Sequence, residues 1–187
     1  MTEIREKLNI KYFKGSFITT PPTKEFIGEY FTQKKNIKIG VFEKFARVKV
    51  TLMGRKNNFV NITGAKSFDE MERFQTFYCD FSKQKIIREI KIDSISANYK
   101  ISNMRQLYLS EYEEKLSESN LFIKHNSHFP GSVIRYKGSL KGECVIIFPS
   151  NFLNFIGFKK IWDIYTMLDH IKEIFFTKMI TSPSIDV

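Results

Sequence analysis

A nine-residue box occurs twice in this chain. Asn58-Phe59-Val60-Asn61-Ile62-Thr63-Gly64-Ala65-Lys66 returns 93 positions later, without a gap, as Asn151-Phe152-Leu153-Asn154-Phe155-Ile156-Gly157-Phe158-Lys159. Five of the nine residues are identical: both Asn pairs, the Phe, the Gly and the Lys. A chain that repeats itself at a fixed period folds as like units, each with the same elements in the same order. The flanks repeat as well. After each Gly-x-Lys, apolar residues recur at spacings of three and four: Phe68, Met71, Phe74, Tyr78 and Phe81, then Ile161, Ile164, Leu168, Ile171 and Phe175. That period predicts a long helix packed on one face.

Strand-like sequence precedes each box, at Ala46–Met53 and Glu143–Phe148. Each half therefore reads as a first strand (Asn9–Thr19; Arg88–Ile101), a short helix (Pro21–Phe31; about Met104–Leu116), three or more strands and the long helix. The second half carries a longer insertion, about Ser117–His128. The expected units are 1–87 and 88–176, with a frayed tail over 177–187. This is an α+β arrangement of two pseudo-symmetric repeats with antiparallel strands. Inside the box, alternation sorts the faces. Val60, Ile62, Leu153 and Phe155 bury against the long helices. Phe59, Asn61 and Thr63, like Phe152, Asn154 and Ile156, form an opposite face that mixes aromatic, amide and hydroxyl groups, as a binding surface does.

The net charge of +10 points to a polyanionic partner. It is concentrated in residues 1–90, which carry 18 basic and 10 acidic side chains, against 12 and 10 in 91–187. No apolar run reaches the roughly 18 residues of a membrane span, and the first residues open no secretory signal, so the expectation is an intracellular protein with no membrane partner. Cys79, Cys144, His125, His128 and His170 lack the paired spacing of a zinc site, and the two cysteines lie in apolar surroundings. There is no Gly-rich phosphate loop and no Cys-His or Ser-His-Asp set. Glu111, Glu113 and Glu114 read as a solvated helix face. The expectation is no enzyme, no metal, no cofactor and no small-molecule substrate.

Asn61-Ile62-Thr63-Gly64-Ala65-Lys66-Ser67 resembles the Thr-Gly-Ala-Lys box that occurs in both repeats of the TATA-box-binding protein (TBP) family. Phe129-Pro130-Gly131, Arg135 in the following strand, and Ile147-Phe148-x-Ser150 before the second box extend the resemblance over about residues 8–176. It implies a saddle: a curved ten-stranded antiparallel sheet whose concave face sits on the DNA minor groove, with helices on the convex face for partners. That family wedges apolar side chains between base steps and kinks the duplex. By the resemblance, Phe129 and Phe148 are wedges. Asn61, Thr63, Asn154, Ile156, Phe59 and Phe152 face the groove, as do Ser94 and Ser96. Lys66, Lys159, Arg135 and Ser150 meet phosphates.

The pattern departs from the family in four places. Ungapped, the first-half partner of Phe148 is Arg55, and a small slip brings Met53 instead. For the other wedge position the first half offers Ile37 or Ile39. The second box replaces Thr with Ile156 and Ala with Phe158. An acidic patch that docks transcription factor IIB in the family reads Lys124-His125-Asn126-Ser127-His128 here. The implied function is a transcription initiation factor that binds and bends A·T-rich promoter DNA and recruits initiation factors or RNA polymerase subunits. The divergence, with a composition rich in Phe, Ile, Lys and Asn that AT-rich codons favour, points to a viral or otherwise distant member, working in a nucleus or a cytoplasmic viral factory. The competing reading is a protein-interaction module that keeps the fold with weakened DNA binding. A DNA-processing enzyme is a third class, for which the chain leaves no additional catalytic domain.

Overall fold

The structure, a computed structural model, describes residues 8–35, 37–101, 112–125, 128, 130–137 and 142–180, without the side chains of 176–180. The elements in chain order are β1 (Asn9–Thr19), α1 (Lys24–Tyr30), β2 (Thr32–Lys34), β3 (Ile37–Val41), β4 (Lys49–Met53), β5 (Phe59–Ala65), α2 (Phe68–Ser82) and β6 (Ile86–Lys100). There follow α3 (Glu113–Glu118), β7 (Leu121–Lys124), β8 (Ser132–Tyr136), β9 (Cys144–Ile147), β10 (Phe152–Phe158) and α4 (Ile161–Ile180). The strands form one sheet in the order β2-β3-β4-β5-β1-β6-β10-β9-β8-β7. This is an α+β protein with ten strands and four helices among the described residues. The chain divides into two compact units, Ile10–Ile95 and Ser96 onward together with the residues up to Asn9. The division falls inside β6, because that one uninterrupted strand contributes to both.

In the first unit, α2 shows why the box is followed by a helix. Ser67 is its N-cap and accepts the Glu70 amide at 3.1 Å, while the Glu70 carboxylate reaches back to accept the Lys66 amide at 2.6 Å. This reciprocal pair satisfies two amide donors at the helix start. Asp69 and Glu70 in the first turn also suit the positive end of the helix dipole. Lys83, in the left-handed region at φ 57°, ends the helix. The face that Met71, Phe74 and Tyr78 bury meets Val60, Ile62 and Phe17, all fully covered. Phe42 lies edge-on to Phe74, Tyr78 and Phe81 at 6.0, 5.9 and 5.8 Å, within an aromatic cluster. Such pairs each add about 0.5–1.5 kcal/mol beyond the area they bury. Phe81, the last residue of the expected stripe, is exposed.

The second unit repeats this logic with Leu153 and Phe155 of β10 against Ile164, Leu168 and Ile171 of α4, all buried. Two expectations need correction there. The segment 117–128 is more than an insertion, since Leu121-Phe122-Ile123-Lys124 pairs with β8 as an edge strand. Its four residues are too short to show a period, which is why the sequence hides it. Helix α4 also continues past Thr177 to Ile180. The expected helix over Met104–Leu116 lies mostly outside the described residues; only its end is seen, as α3.

Candidate nucleic-acid interface

Among the described residues, each unit lays its helices against one face of its strands, and no helix covers the other. In β5, Phe59, Asn61 and Thr63 are half-exposed while Val60 and Ile62 are buried; in β10, Phe152 and Asn154 are half-exposed and Ile156 is exposed. The face assignment read from the alternation is the observed one. Cross-strand register then brings unforeseen residues beside them. One row of the first unit runs Lys14–Thr63–Lys49–Val41, the next Ser16–Asn61–Thr51–Ile39–Thr32, and a third Ile18–Phe59–Met53. Lys49, Thr51 and Met53 follow the period of two along β4, which was the available signal for them.

The hairpin between β4 and β5 settles the partner of Phe148 in register. Val60 pairs with Leu52 and Phe59 with Met53; in the second unit Leu153 pairs with Ile147, and the Phe148 amide donates to the Phe152 carbonyl at 2.9 Å. Met53 therefore holds the place in the first hairpin that Phe148 holds in the second, and Arg55 sits at the exposed tip beyond it. The first hairpin is two residues longer, so an ungapped alignment misaligns its incoming strand. Met53 is 45% exposed and accepts the Asn61 side-chain amide on its sulfur at 2.7 Å. Phe148 is half-exposed, and its carbonyl accepts the Asn151 amide at 2.9 Å to close the tight turn that also contains Ser150. Ser150 is exposed. Phe129 lies outside the described residues.

Two cations rest on the uncovered faces. The Arg88 guanidinium stands 5.6 Å from the Phe59 ring, and the Lys100 ammonium 5.8 Å from the Phe152 ring. Both are within cation–π reach. The second unit's face is more apolar, with the row Asn154–Ile146–Val133–Lys124 and the pairs Ile156–Cys144 and Phe122–Arg135. Burial pushes the Cys144 thiol up in pKa, against a lowering by nearby Arg135. Cys79 is pushed up to about 11 by burial and by the neighbouring Asp80 and Glu89 carboxylates. Both cysteines are buried free thiols, held neutral at ordinary pH.

The remaining expected positions divide. Ser94 is half-exposed, whereas Ser96 is buried at 7% exposure and offers little surface to a ligand. Lys66 is exposed at the start of α2, but its ammonium donates to the Lys11 carbonyl. Lys159 is exposed just before α4, and Arg135 is half-exposed on β8. Among the described residues no three His, Cys, Asp or Glu side chains gather as a metal site, and no helix is long and apolar enough to cross a membrane.

No family model and none of the curated proteins matches the chain. Among solved structures it is similar to Methanococcus jannaschii TBP, with a TM-score of 0.66 and 22% identity over 90% of this chain and 99% of that one. At that identity the likeness is one of fold: this chain has the fold of a TBP.

Proposed function

We propose that this chain is a TBP-like transcription initiation factor that binds A·T-rich duplex DNA in the minor groove, bends it and recruits other initiation components. The observation that carries this reading is the uncovered sheet face of each unit, with Phe59-Asn61-Thr63 and Phe152-Asn154-Ile156 at matching places in the fold. In this reading the two units are pseudo-symmetric halves of a saddle whose concave side is that face. Amide and hydroxyl groups there meet the acceptors of A·T pairs, and the exocyclic amino group of guanine obstructs the approach. Phe148 and Met53, at the hairpin ends, are the wedges, with Phe129 completing the second half. Lys66, Lys159, Arg135, Arg55 and Ser150 contact the backbone, setting affinity and salt dependence. The site of action is a nucleus or a cytoplasmic viral factory.

Replacing A·T pairs by inosine·cytosine pairs tests the groove. Inosine·cytosine lacks the minor-groove amino group but presents a G·C-like major groove. Binding should survive this replacement and fall by at least tenfold with G·C. Loss with both would place recognition in the major groove.

One observation favours the interaction-module reading as a second: large apolar side chains stand exposed on the helices. Trp162 is 76% exposed beside Ile161 and Tyr165 on α4. A groove of about 830 Å³ also runs along α2, with Phe45, Phe77 and Phe81 in its walls. In the leading reading these surfaces take the recruited proteins; in the second they are the whole function.

A further inference from the structure

Phe59 and Phe152 open β5 and β10, 93 positions apart, and each keeps its ring half-exposed on the uncovered face of its unit. Over each ring stands one cation, the Arg88 guanidinium at 5.6 Å from the first centroid and the Lys100 ammonium at 5.8 Å from the second. Both cations belong to β6, Arg88 near its start and Lys100 at its end, so they are not copies of one another by the repeat. The same arrangement is therefore reached twice by unrelated residues. Both cations are exposed, and neither has an ion-pair partner among the described residues.

The spacing leaves the ring faces open. A group packed directly on a ring lies at roughly 3.5–4.0 Å, and one with a planar base between them at roughly 7 Å. Both cations stand between these limits, and a rotamer change in an exposed side chain is enough to admit a base. Two residues along each strand, on the same face, Asn61 and Asn154 carry amides suited to the hydrogen-bonding edge of an unpaired base. A paired duplex makes no use of the flat of these rings, because its minor groove presents base edges and its base faces are covered by their neighbours.

We infer that Phe59 with Arg88, and Phe152 with Lys100, are stacking platforms for unpaired bases, one in each unit, through which the chain binds single-stranded DNA. Aromatic rings on an open sheet face, joined by cations that follow the backbone, hold single strands with little sequence preference. The choice of DNA over RNA rests on the minor-groove reading. Met53 pairs with Phe59, and the Phe148 amide donates to the Phe152 carbonyl, so a base displaced by either wedge emerges beside a platform. The chain would then hold bases of an A·T-rich site once they part, as well as the paired site.

The test measures the full chain against an oligothymidylate carrying one fluorescent adenine analogue whose emission falls on stacking, with the A·T-rich duplex titrated in parallel. The parent should bind the single strand and quench the analogue. Phe59→Leu and Phe152→Leu, which keep an apolar side chain but remove the ring, should each weaken single-strand binding by about tenfold and relieve the quenching. Their loss on the duplex should be smaller. Arg88→Gln and Lys100→Gln should each weaken single-strand binding and flatten its salt dependence by about 0.7 in slope. Urea midpoints establish that the variants are folded. A parent that binds the duplex and ignores the single strand overturns the platforms and leaves the minor-groove reading standing, as do leucine variants that bind and quench like the parent. A parent that binds the single strand alone overturns the duplex reading and leaves the platforms. Tighter binding to an oligouridylate of equal length overturns the assignment to DNA.

Discussion

Gly157→Ala and Gly64→Ala should each destabilise the protein by on the order of 3 kcal/mol, enough to unfold a marginally stable domain at 37 °C. Two independent causes add at each position. Gly157 has φ +87° and Gly64 φ +102°, in the region where a Cβ is strained. A Cβ on Gly157 would also lie 1.9 Å from the Gly142 carbonyl oxygen and 2.4 Å from its carbon; on Gly64 it would meet the Arg47 carbonyl. The obstacle in each case is backbone in a neighbouring segment, so no side chain can swing aside. Gly28→Ala is the contrast. It sits in α1 with nothing within 4 Å of its would-be Cβ, and should be neutral or stabilising by up to about 1 kcal/mol. Urea denaturation of the three variants checks this. A Gly157→Ala midpoint equal to the parent's would show that the close approach at the bulge is not required by the fold.

Phe148→Ala should remove most of the bend in bound DNA and weaken binding by about tenfold or more. A wedge inserted between base steps costs a few kcal/mol of unstacking, offset by the additional sheet surface that the bent duplex covers. Without the wedge both terms vanish and a straighter, weaker complex remains. The effect on folding should be smaller than that of a core deletion, which runs to about 3–5 kcal/mol, because the ring is half-exposed at a turn. Met53→Ala should reduce the bend less, since a thioether chain fills a base step less fully than a ring. Met53→Phe should increase it. Energy transfer between dyes at the duplex ends reads the bend, and urea midpoints read the stability. If Phe148→Ala leaves the bend intact, Phe148 is no wedge. Stability and bend lost in equal measure would place the ring in the core.

The contrast between Gly157 and Met53 indicates what sequence alone could reveal. The box glycine, its alternating neighbours and the following helix are local patterns, and period 2 giving way to period 3.6 was sufficient to place Val60, Asn61 and Met71 on their faces. The Met53 position depends on hairpin length. Two additional residues between Met53 and Phe59 shift the incoming strand, and only the cross-strand pairs reveal which residue stands opposite Phe59. The burial of Ser96 and the cations over Phe59 and Phe152 have the same origin: each depends on a neighbouring strand whose register local pattern does not encode. A hollow lined by Tyr12, Arg47, Lys49, Thr63 and Gly64 was the least legible feature of all. Its members come from β1, the turn before β4, β4 and β5, and a one-residue bulge brings them together.

The most direct test of the account is fluorescence anisotropy of a labelled A·T-rich duplex across a salt series, with a G·C-rich competitor and an energy-transfer pair on the duplex ends. Preferential binding to the A·T-rich duplex, with the ends drawn together as the complex forms, is the predicted result. Weak binding that ignores sequence, leaves the duplex straight and disappears by physiological salt would contradict it, and would move the function to the protein-binding surfaces around Trp162 and Phe77.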